Sequence, residues 1–256
     1  DCILFYRLGD FYEMFFDDAI VCSKELELTL TGKDCGLEER APMAGIPHHA
    51  INTYIPKLVE KGYKVAICEQ LEDPKQAKGI VKRDVVKIIT PGTITELTML
   101  DDKKNNYIAS LVYDMKRCAI AFCDVSTGEF LVSTMIGMDV NQKIQNEIAR
   151  IAPSEIVLGK NNKNSKYLEE LLNKTKDVYI SKYDNLNENE QLLKIISSNN
   201  ITLTDAEKEA STLLLNYIEE TQKSSINQIN NLQKYEIERY MQLDISTRKN
   251  LEILEA

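Results

Sequence analysis

The sequence predicts a mixed α/β protein with two domains. Short apolar runs of strand type alternate with segments of helical spacing along most of the chain. A polar stretch at residues 101–106 separates two such sets, and 256 residues exceed the length of one average domain. We therefore expect a first domain over residues 1–100, a linker over 101–106, a second domain over 107–203 and a helical segment over 204–256.

The first domain begins with an apolar strand at residues 2–8 that stops at the Gly9-Asp10 pair. The spacing after this pair predicts a helix over residues 11–28, so Phe11 is expected where a strand gives way to a helix. The remaining predicted elements are strands at 26–34, 63–71 and 84–92, a helix at 51–62 and a loop punctuated by Pro and Gly at 42–50.

The second domain opens with three runs typical of antiparallel strands, at residues 107–114, 117–128 and 129–135. Alternation then predicts helices at 141–151 and 166–174 and strands at 154–159 and 177–183. From residue 204 the pattern is helical to the end of the chain, where it stops without a capping residue. Because position 1 is Asp and not Met, we expect the chain to be a piece of a longer protein.

Composition limits the class of protein. The hydrophobic fraction of 43% and the charged fraction of 28% are ordinary for a soluble globular protein. No apolar run reaches the roughly 20 residues of a membrane helix, and no signal peptide opens the sequence. The six cysteines have neither a CxxC pair nor paired Cys/His spacing, so no zinc site is predicted. We expect reduced, mostly buried thiols in a cytoplasmic protein with no membrane segment.

The formal net charge of −9 argues against a protein that is coated in nucleic acid. Neutralising phosphates requires Lys and Arg gathered on one face. Residues 75–87 are a local exception, with four lysines and one arginine against one aspartate. Charge alone leaves two interpretations of this segment open, a solvated loop or a basic contact surface.

A cluster of aromatic residues follows the Gly-Asp pair. Phe11, Tyr12, Phe15 and Phe16 are more bulky side chains than one face of a helix buries at a period of 3.6 residues. At least one of them is therefore expected to point away from the core. For Phe11, spacing leaves two roles open: a core residue at a helix start, or an exposed aromatic that stacks on a base or wedges into a DNA step.

Four segments carry a resemblance to a known family. In their order and separations, "FYRLGDFYEMFFDDA", "PMAGIPHHA", "VAICEQLEDP" and "IITPGT" resemble the amino-terminal mismatch-binding domain of the bacterial MutS family of DNA mismatch-repair proteins. The less distinctive middle of the chain resembles the family's connector domain, and "DISTRKNLEI" resembles the first helix of its lever domain. The resemblance implies a mixed α/β mismatch-binding domain, a ribonuclease H-like α/β connector domain and a helical tail.

The resemblance also implies the roles of Phe11 and Glu13, which match the family's Phe-x-Glu motif. Phe11 would stack on a mispaired base from the minor groove, and Glu13 would hydrogen-bond to that base. A Phe wedge must unstack a base step, which costs on the order of a few kcal/mol, and a mispaired base has already lost part of its stacking. Surrounding phosphates favour a protonated or proton-sharing Glu13, which donates to a purine ring nitrogen or to a thymine. The alternative for Glu13 is a solvated carboxylate in the first turn of a helix.

The same resemblance places further residues near DNA. Met43 is expected beside the wedge, with a place in the core as its alternative. The segment at residues 78–83 becomes a loop that contacts the DNA backbone, with Arg83 on a phosphate or Lys82 in its place. His48 and His49 are adjacent, which suits neither a metal site nor a catalytic pair, so we expect structural roles for both.

Enzyme activity is not expected of this chain. The family's ATPase requires a GxxxxGK[ST] loop, and no such string occurs in the sequence. The resemblance assigns ATP and magnesium to the full-length family, and we expect no cofactor in this chain. The implied partners are mismatched double-stranded DNA, MutL, and a second copy in a homodimer of the full-length protein. The implied location is the cytoplasm, at the nucleoid when the protein is on DNA.

Two alternative functions are considered. The first is a ribonuclease H-like nuclease, in which Asp124, Glu129 and Glu155 would have to converge on a two-metal site, although no DxD or ExD pair supports it. The second is a protein-interaction module that docks MutL through residues 107–200, which is compatible with DNA binding elsewhere in the chain.

Overall fold

The computed structural model describes residues 2–36, 38–72, 79–94, 105–160, 164–173 and 178–237. The chain forms two compact units, one of residues 1–103 with 219–225 and one of residues 104–218 with 226–256. Each unit contains a six-stranded sheet. This confirms the predicted mixed α/β class. Most of the predicted linker, residues 101–104, lies outside the described residues.

The first unit is built from six strands and two helices. The strands are β1 (Ile3–Leu8), β2 (Phe11–Phe15), β3 (Thr31–Lys33), β4 (Ala41–Pro47), β5 (Val65–Gln70) and β6 (Arg83–Ile89). The helices are α1 (Phe16–Glu25) and α2 (Ile51–Val59), and a 3-10 turn covers His48–Ala50. The sheet order is β3-β4-β2-β1-β5-β6. Only the β1 and β5 pair is parallel among these neighbours.

Both helices pack on the same face of this sheet. The core between them includes Phe5, Tyr12, Met14, Ile46 and Leu58, all of which are buried. Successive side chains of a strand point to opposite faces of the sheet. The residues between these core positions therefore lie on the other face. We call that surface the open face, and define it by Phe11, Glu13, Phe15, Met43 and Gly45.

The helix predicted over residues 11–28 is wrong over residues 11–15. Phe11–Phe15 is a strand that pairs antiparallel with β1, with Leu8 opposite Phe11, and α1 begins only at Phe16. Gly9 has φ of +58° in the two-residue turn between the strands, the position that a type II′ hairpin turn gives to glycine. Period-two alternation of buried and outer residues in this stretch outweighs the helical spacing of its aromatics.

The loop predicted at residues 42–50 is also wrong. Residues Ala41–Pro47 form β4, which lies between β2 and β3. Ala44 and Ile46 enter the core at period two, while Pro42 and Pro47 fall near the ends of the strand, where a missing N–H donor is tolerated. The strand predicted at 26–34 is shortened to β3, whereas the strands at 63–71 and 84–92 and the helix at 51–62 are confirmed.

The second unit is also built from strands and helices around one sheet. Its strands are β7 (Tyr107–Asp114), β8 (Arg117–Asp124), β9 (Glu129–Ile136), β10 (Glu155–Gly159), β11 (Tyr179–Tyr183) and β12 (Asn231–Lys234). Its helices are α3 (Val140–Ile151), α4 (Ser165–Leu172), α5 (Glu190–Asn199) and α6 (Asp205–Gln222), whose last turn is grouped with the first unit.

The order of this second sheet is β11-β10-β7-β8-β9-β12. The strands β7, β8 and β9 form an antiparallel meander, and β10 and β11 follow in parallel on the other side of β7. This is the ribonuclease H-like arrangement that the resemblance implies. Residues of α3 and α4 belong to the core on one face of the sheet, and residues of α5 and α6 to the core on the other.

Two elements differ from the sequence prediction. The helical pattern expected from residue 204 is interrupted by β12, which pairs parallel with β9. The segment between β11 and α6, for which the sequence predicted no element, contains α5, whose first turn is capped by the side chain of Asn189, which accepts the N–H of Leu192 at 2.9 Å. An Asn cap satisfies one of the donors that a helix start leaves unpaired.

All six cysteines are free, and Cys22, Cys68, Cys118 and Cys123 are buried, as expected for mostly buried thiols. Burial raises the pKa of the Cys22 thiol to about 12 and also raises the pKa of the other three buried thiols. These side chains therefore act as small apolar groups. Within the described ranges, every helix is too short or too polar to cross a bilayer.

The hairpin between β8 and β9 provides a test of the second unit. Gly128 has φ of +78°, and a Cβ there would lie 2.4 Å from the carbonyl oxygen of Gln228. We expect Gly128→Ala to lower the free energy of unfolding by about 3 kcal/mol, from strain at positive φ plus overpacking. Gly36→Ala is the matched control, because φ is +77° there and a Cβ would meet nothing within 4 Å. Equal losses in thermal melts of the two variants would contradict the role of the Gln228 contact.

Candidate functional site

Phe11 is the first residue of β2 and lies opposite Leu8 on one side and Pro47 on the other. Its side chain is 49% exposed, whereas the next residue, Tyr12, is only 5% exposed. Phe16 is 53% exposed as well, so two members of the aromatic cluster point away from the core. The core role that spacing left open for Phe11 is therefore excluded, and its ring is accessible on the open face.

The turn that precedes Phe11 is held from two sides. Arg7 donates from Nε to the carbonyl oxygen of Gly9 at 2.5 Å. His48 donates its main-chain N–H to the carbonyl oxygen of Asp10 at 2.9 Å, and its Nδ1 lies 3.1 Å from the same oxygen. These bonds fix the hairpin that carries Phe11, and they give His48 the structural role expected from the sequence.

Glu13 lies two residues beyond Phe11 on the same face. Its Oε2 accepts a hydrogen bond from Nζ of Lys33 in an ion pair. The ammonium of Lys33 also lies 5.5 Å from the centre of the Phe15 ring. Sequence reasoning missed Lys33, because the loop predicted at residues 42–50 took the place of β4, the strand that lies between β2 and β3 and pairs with both. The signal that reveals it is the period-two pattern of that strand.

Phe11, Glu13, Met43 and Gly45 line one open depression with a volume of about 540 Å³, whose other walls come from residues 27–29 and Thr31. Met43 is half-buried there, and Thr31 donates from Oγ1 to its carbonyl oxygen at 3.2 Å. Met43 thus lines the depression and does not pack in the core. The fold brings together the predicted wedge, the predicted base contact and Met43.

The predicted phosphate contacts lie at the start of β6. Arg83 donates to the carbonyl oxygens of Arg7 and Val81 at 2.9 and 2.8 Å and to Oε1 of Gln70 at 3.2 Å. These bonds make Arg83 a brace between strands, whereas the neighbouring Lys82 is exposed. The arrangement favours Lys82 over Arg83 for a phosphate contact, which stays a prediction. Residues 73–78 of the same segment lie outside the described residues.

Of the three carboxylates of the alternative nuclease site, Asp124 and Glu129 are paired across β8 and β9, but Glu155 does not join them. Asp124 is buried, and its Oδ1 accepts the main-chain N–H and the hydroxyl of Ser126, which closes the turn after β8. Glu155 packs on the opposite face of the sheet, where Tyr217 donates a hydrogen bond to it at 2.6 Å. Within the described part of the chain, no three His, Cys, Asp or Glu residues are placed to hold a metal ion. A nuclease with Asp124, Glu129 and Glu155 is therefore not favoured.

A braced hairpin that displays an aromatic ring beside a carboxylate, in one of two α/β units, defines a modular α/β protein with an exposed aromatic residue next to an acidic one. Comparison with known proteins identifies the family. The sequence profile of MutS domain I matches residues 1–98, and that of MutS domain II matches residues 106–233. The chain belongs to the MutS family.

Relatives agree with this assignment over the whole chain. It is 50% identical over 265 residues to the DNA mismatch repair protein MutS of Acetivibrio thermocellus, and 47% identical over 262 residues to that of Ruminiclostridium cellulolyticum. It is 50% identical over 260 residues to the protein of the same name from Clostridium botulinum strain Hall. All of this chain is covered in each case, and it spans 28% to 30% of the length of these relatives.

The different burial of Phe11 and Tyr12, two neighbouring residues of β2, predicts how much stability the protein loses when each side chain is truncated. We expect Phe11→Ala to lower the free energy of unfolding by about 1 kcal/mol or less, because the side chain is half exposed. Tyr12→Ala removes a buried ring from the core and is expected to cost about 3 kcal/mol or more. Urea unfolding of both variants checks this difference. A loss for Phe11→Ala as large as that for Tyr12→Ala would contradict the exposed position of Phe11.

Proposed function

We propose that the first unit recognises mismatched double-stranded DNA in mismatch repair. Phe11 stacks on the mispaired base from the minor groove, and Glu13 hydrogen-bonds to that base. The observation that carries this proposal is the half-exposed ring of Phe11 beside Glu13 on the open face, on a hairpin whose turn is braced. Membership of the MutS family, with the domain I profile over this unit, supports it.

The strand geometry suits a wedge with an adjacent base contact. Alternate residues of a strand are about 7 Å apart on one face. The carboxylate of Glu13 is therefore within reach of the edge of a base that stacks on Phe11. Gly45 lies opposite Glu13 in the pairing of β2 with β4 and leaves the space beside the carboxylate without a side chain.

Discrimination in this mechanism comes from the deformability of DNA. Inserting an aromatic ring unstacks a base step at a cost on the order of a few kcal/mol. A mispaired or unpaired base has already lost part of its stacking and pairing, so the cost is lower there. The protein thus selects a weak step in the duplex and needs no fixed sequence.

Four further expectations from the family resemblance stay predictions. These are the docking of MutL on residues 107–200, a homodimer of the full-length protein, the use of ATP and magnesium by that protein, and a lack of enzyme activity in this chain. The geometry of the open face tests none of them.

The wedge is tested in the full-length protein that carries this sequence. We expect Phe11→Ala to weaken binding to a single-mismatch duplex by roughly 1 to 3 kcal/mol, the range of base-stacking aromatics, towards the level of fully paired DNA. Phe16→Ala is the matched control, since Phe16 is equally exposed but does not line the depression. Equilibrium binding to mismatched and fully paired duplexes of equal length measures the effect. Equal losses for the two variants would sink the proposed role of Phe11.

Glu13 is tested by its effect on discrimination. Glu13→Ala removes a contact to the base together with a negative charge that phosphates repel. We expect binding to fully paired DNA to hold or rise while the preference for the mismatch shrinks. The control is Glu25→Ala, because Glu25 forms a similar ion pair with Lys61 and has a similar exposed fraction of its side chain, 19% against 16% for Glu13. A uniform loss of affinity for both duplexes with Glu13→Ala would show that Glu13 does not discriminate.

A further inference from the structure

We propose that Gly45 is a specificity-determining residue of the DNA site, because its missing side chain leaves a slot that a deoxyribose at the edge of the minor groove occupies. This inference rests on the proposed function, since it concerns the same open face. It adds a residue, Gly45, and a second kind of contact, to a sugar and not to a base.

The fold itself gives no reason for a glycine at position 45. Its φ lies outside the left-handed region that favours glycine. Among the described residues, the nearest atom that a Cβ there would meet is the main-chain oxygen of Tyr12, at 3.4 Å, which is an ordinary van der Waals contact. Gly9 and Gly128 differ, because both have positive φ, and Gly128 also lies against the main chain of Gln228. An alanine would therefore fit at position 45 of the free protein.

A glycine inside a strand weakens the strand, because it loses more backbone freedom on folding and adds no side chain to the sheet. Such a glycine often marks a β-bulge or a place where a ligand or another main chain approaches closely. The register of β2 with β4 is unbroken at Gly45, which lies opposite Glu13, so a bulge does not account for it. Gly45 is also exposed, so packing of another described segment does not account for it either. The close approach of a ligand is the explanation that is left.

The place of the missing side chain is a slot with defined walls. A Cβ at position 45 would lie 3.7 Å from Cγ of Glu13 and 3.8 Å from Sδ of Met43. Gly45 lines the same depression as Phe11. The floor of the slot is main chain, and its walls are the aliphatic part of Glu13 and the thioether of Met43. This lining suits the C–H surface of a sugar, whereas a phosphate would be repelled by the carboxylate of Glu13.

A sugar is also the group that DNA places beside a displaced base, because deoxyriboses form the walls of the minor groove. Neighbouring strands lie about 4.8 Å apart, so Gly45 is one strand spacing from Glu13 and within reach of the sugar of the nucleotide that Glu13 contacts. Contacts to sugars carry no sequence information, which suits a site that selects a weak step in the duplex. A side chain at position 45 would hold this sugar away from the sheet and the displaced base away from Phe11.

The test uses the full-length protein that carries this sequence and two duplexes of equal length, one fully paired and one with a single unpaired thymine. We expect Gly45→Ala to weaken binding to the unpaired thymine about tenfold, and Gly45→Val to weaken it further, while affinity for fully paired DNA holds. Thermal midpoints should hold or rise, because alanine and valine restrict the unfolded chain and valine favours a strand. A role in the fold alone would lower stability and affinity together.

Gly32 provides the matched control. It lies in β3 of the same sheet and outside the residues that line the depression, and a Cβ there would lie 3.0 Å from Cβ of Arg40. We expect Gly32→Ala to leave the preference for the unpaired base unchanged, whatever its effect on the thermal midpoint. Measuring Gly45→Ala on unpaired adenine and cytosine as well separates a sugar contact from a base contact. The loss should be the same factor for all three bases, because they share one sugar.

Other outcomes overturn the inference in distinguishable ways. It is wrong if Gly45→Ala and Gly45→Val keep the affinity for the unpaired base, if they weaken binding to both duplexes by the same factor, or if stability falls together with affinity. A loss that differs among the three unpaired bases would assign the slot to the base and overturn the sugar contact. In all of these cases the proposed function stands, provided that Phe11→Ala removes the preference for the unpaired base. If Phe11→Ala leaves that preference unchanged, the proposed function itself fails.

Discussion

The pairing of β1 with β2 across the two-residue turn at Gly9 and Asp10 is the constraint on which the rest of the site depends. It fixes which side chains of β2 enter the core, because a shift of one residue in register would move all of them to the other face. Tyr12 and Met14 are buried in this register, and Phe11 and Glu13 are left on the open face. The core thereby positions the residues that the proposed function requires.

The same constraint accounts for the charges of the site. Pairing of β2 with β4, and of β4 with β3, carries Lys33 next to Glu13. A carboxylate directed at DNA without a neighbouring cation would repel phosphates over the whole surface. Lys33 makes the pair locally neutral, which reduces the repulsion that the proposed contact of Glu13 with a base would meet. The braced turn positions the ring of Phe11, and the ion pair positions the carboxylate of Glu13.

Sequence reasoning identified the α/β class and most strands, because long apolar runs and Gly or Pro breaks carry that information. The helix predicted at residues 11–15 was wrong, because the aromatic residues there fit a helical spacing. Only the pairing with β1 shows that this stretch is a strand. Residues 41–47 were mistaken for a loop because Pro and Gly usually mark turns, whereas burial of Ala44 and Ile46 outweighs that signal. The contact of Lys33 with Glu13 could not be predicted, because the two residues are 20 positions apart in the sequence. They are brought together by β4, the strand that the prediction lacked. Phe11 and Glu13 were found through the family resemblance and not through spacing.

The central claim is that the open face of the first unit is the surface that meets a mispaired base. A crystal structure of the full-length protein bound to a duplex with one unpaired thymine tests it most directly. The account predicts the ring of Phe11 stacked on the thymine and the carboxyl group of Glu13 within hydrogen-bond distance of the same base. A complex in which the unpaired base lies away from Phe11 and the open face faces solvent would contradict it.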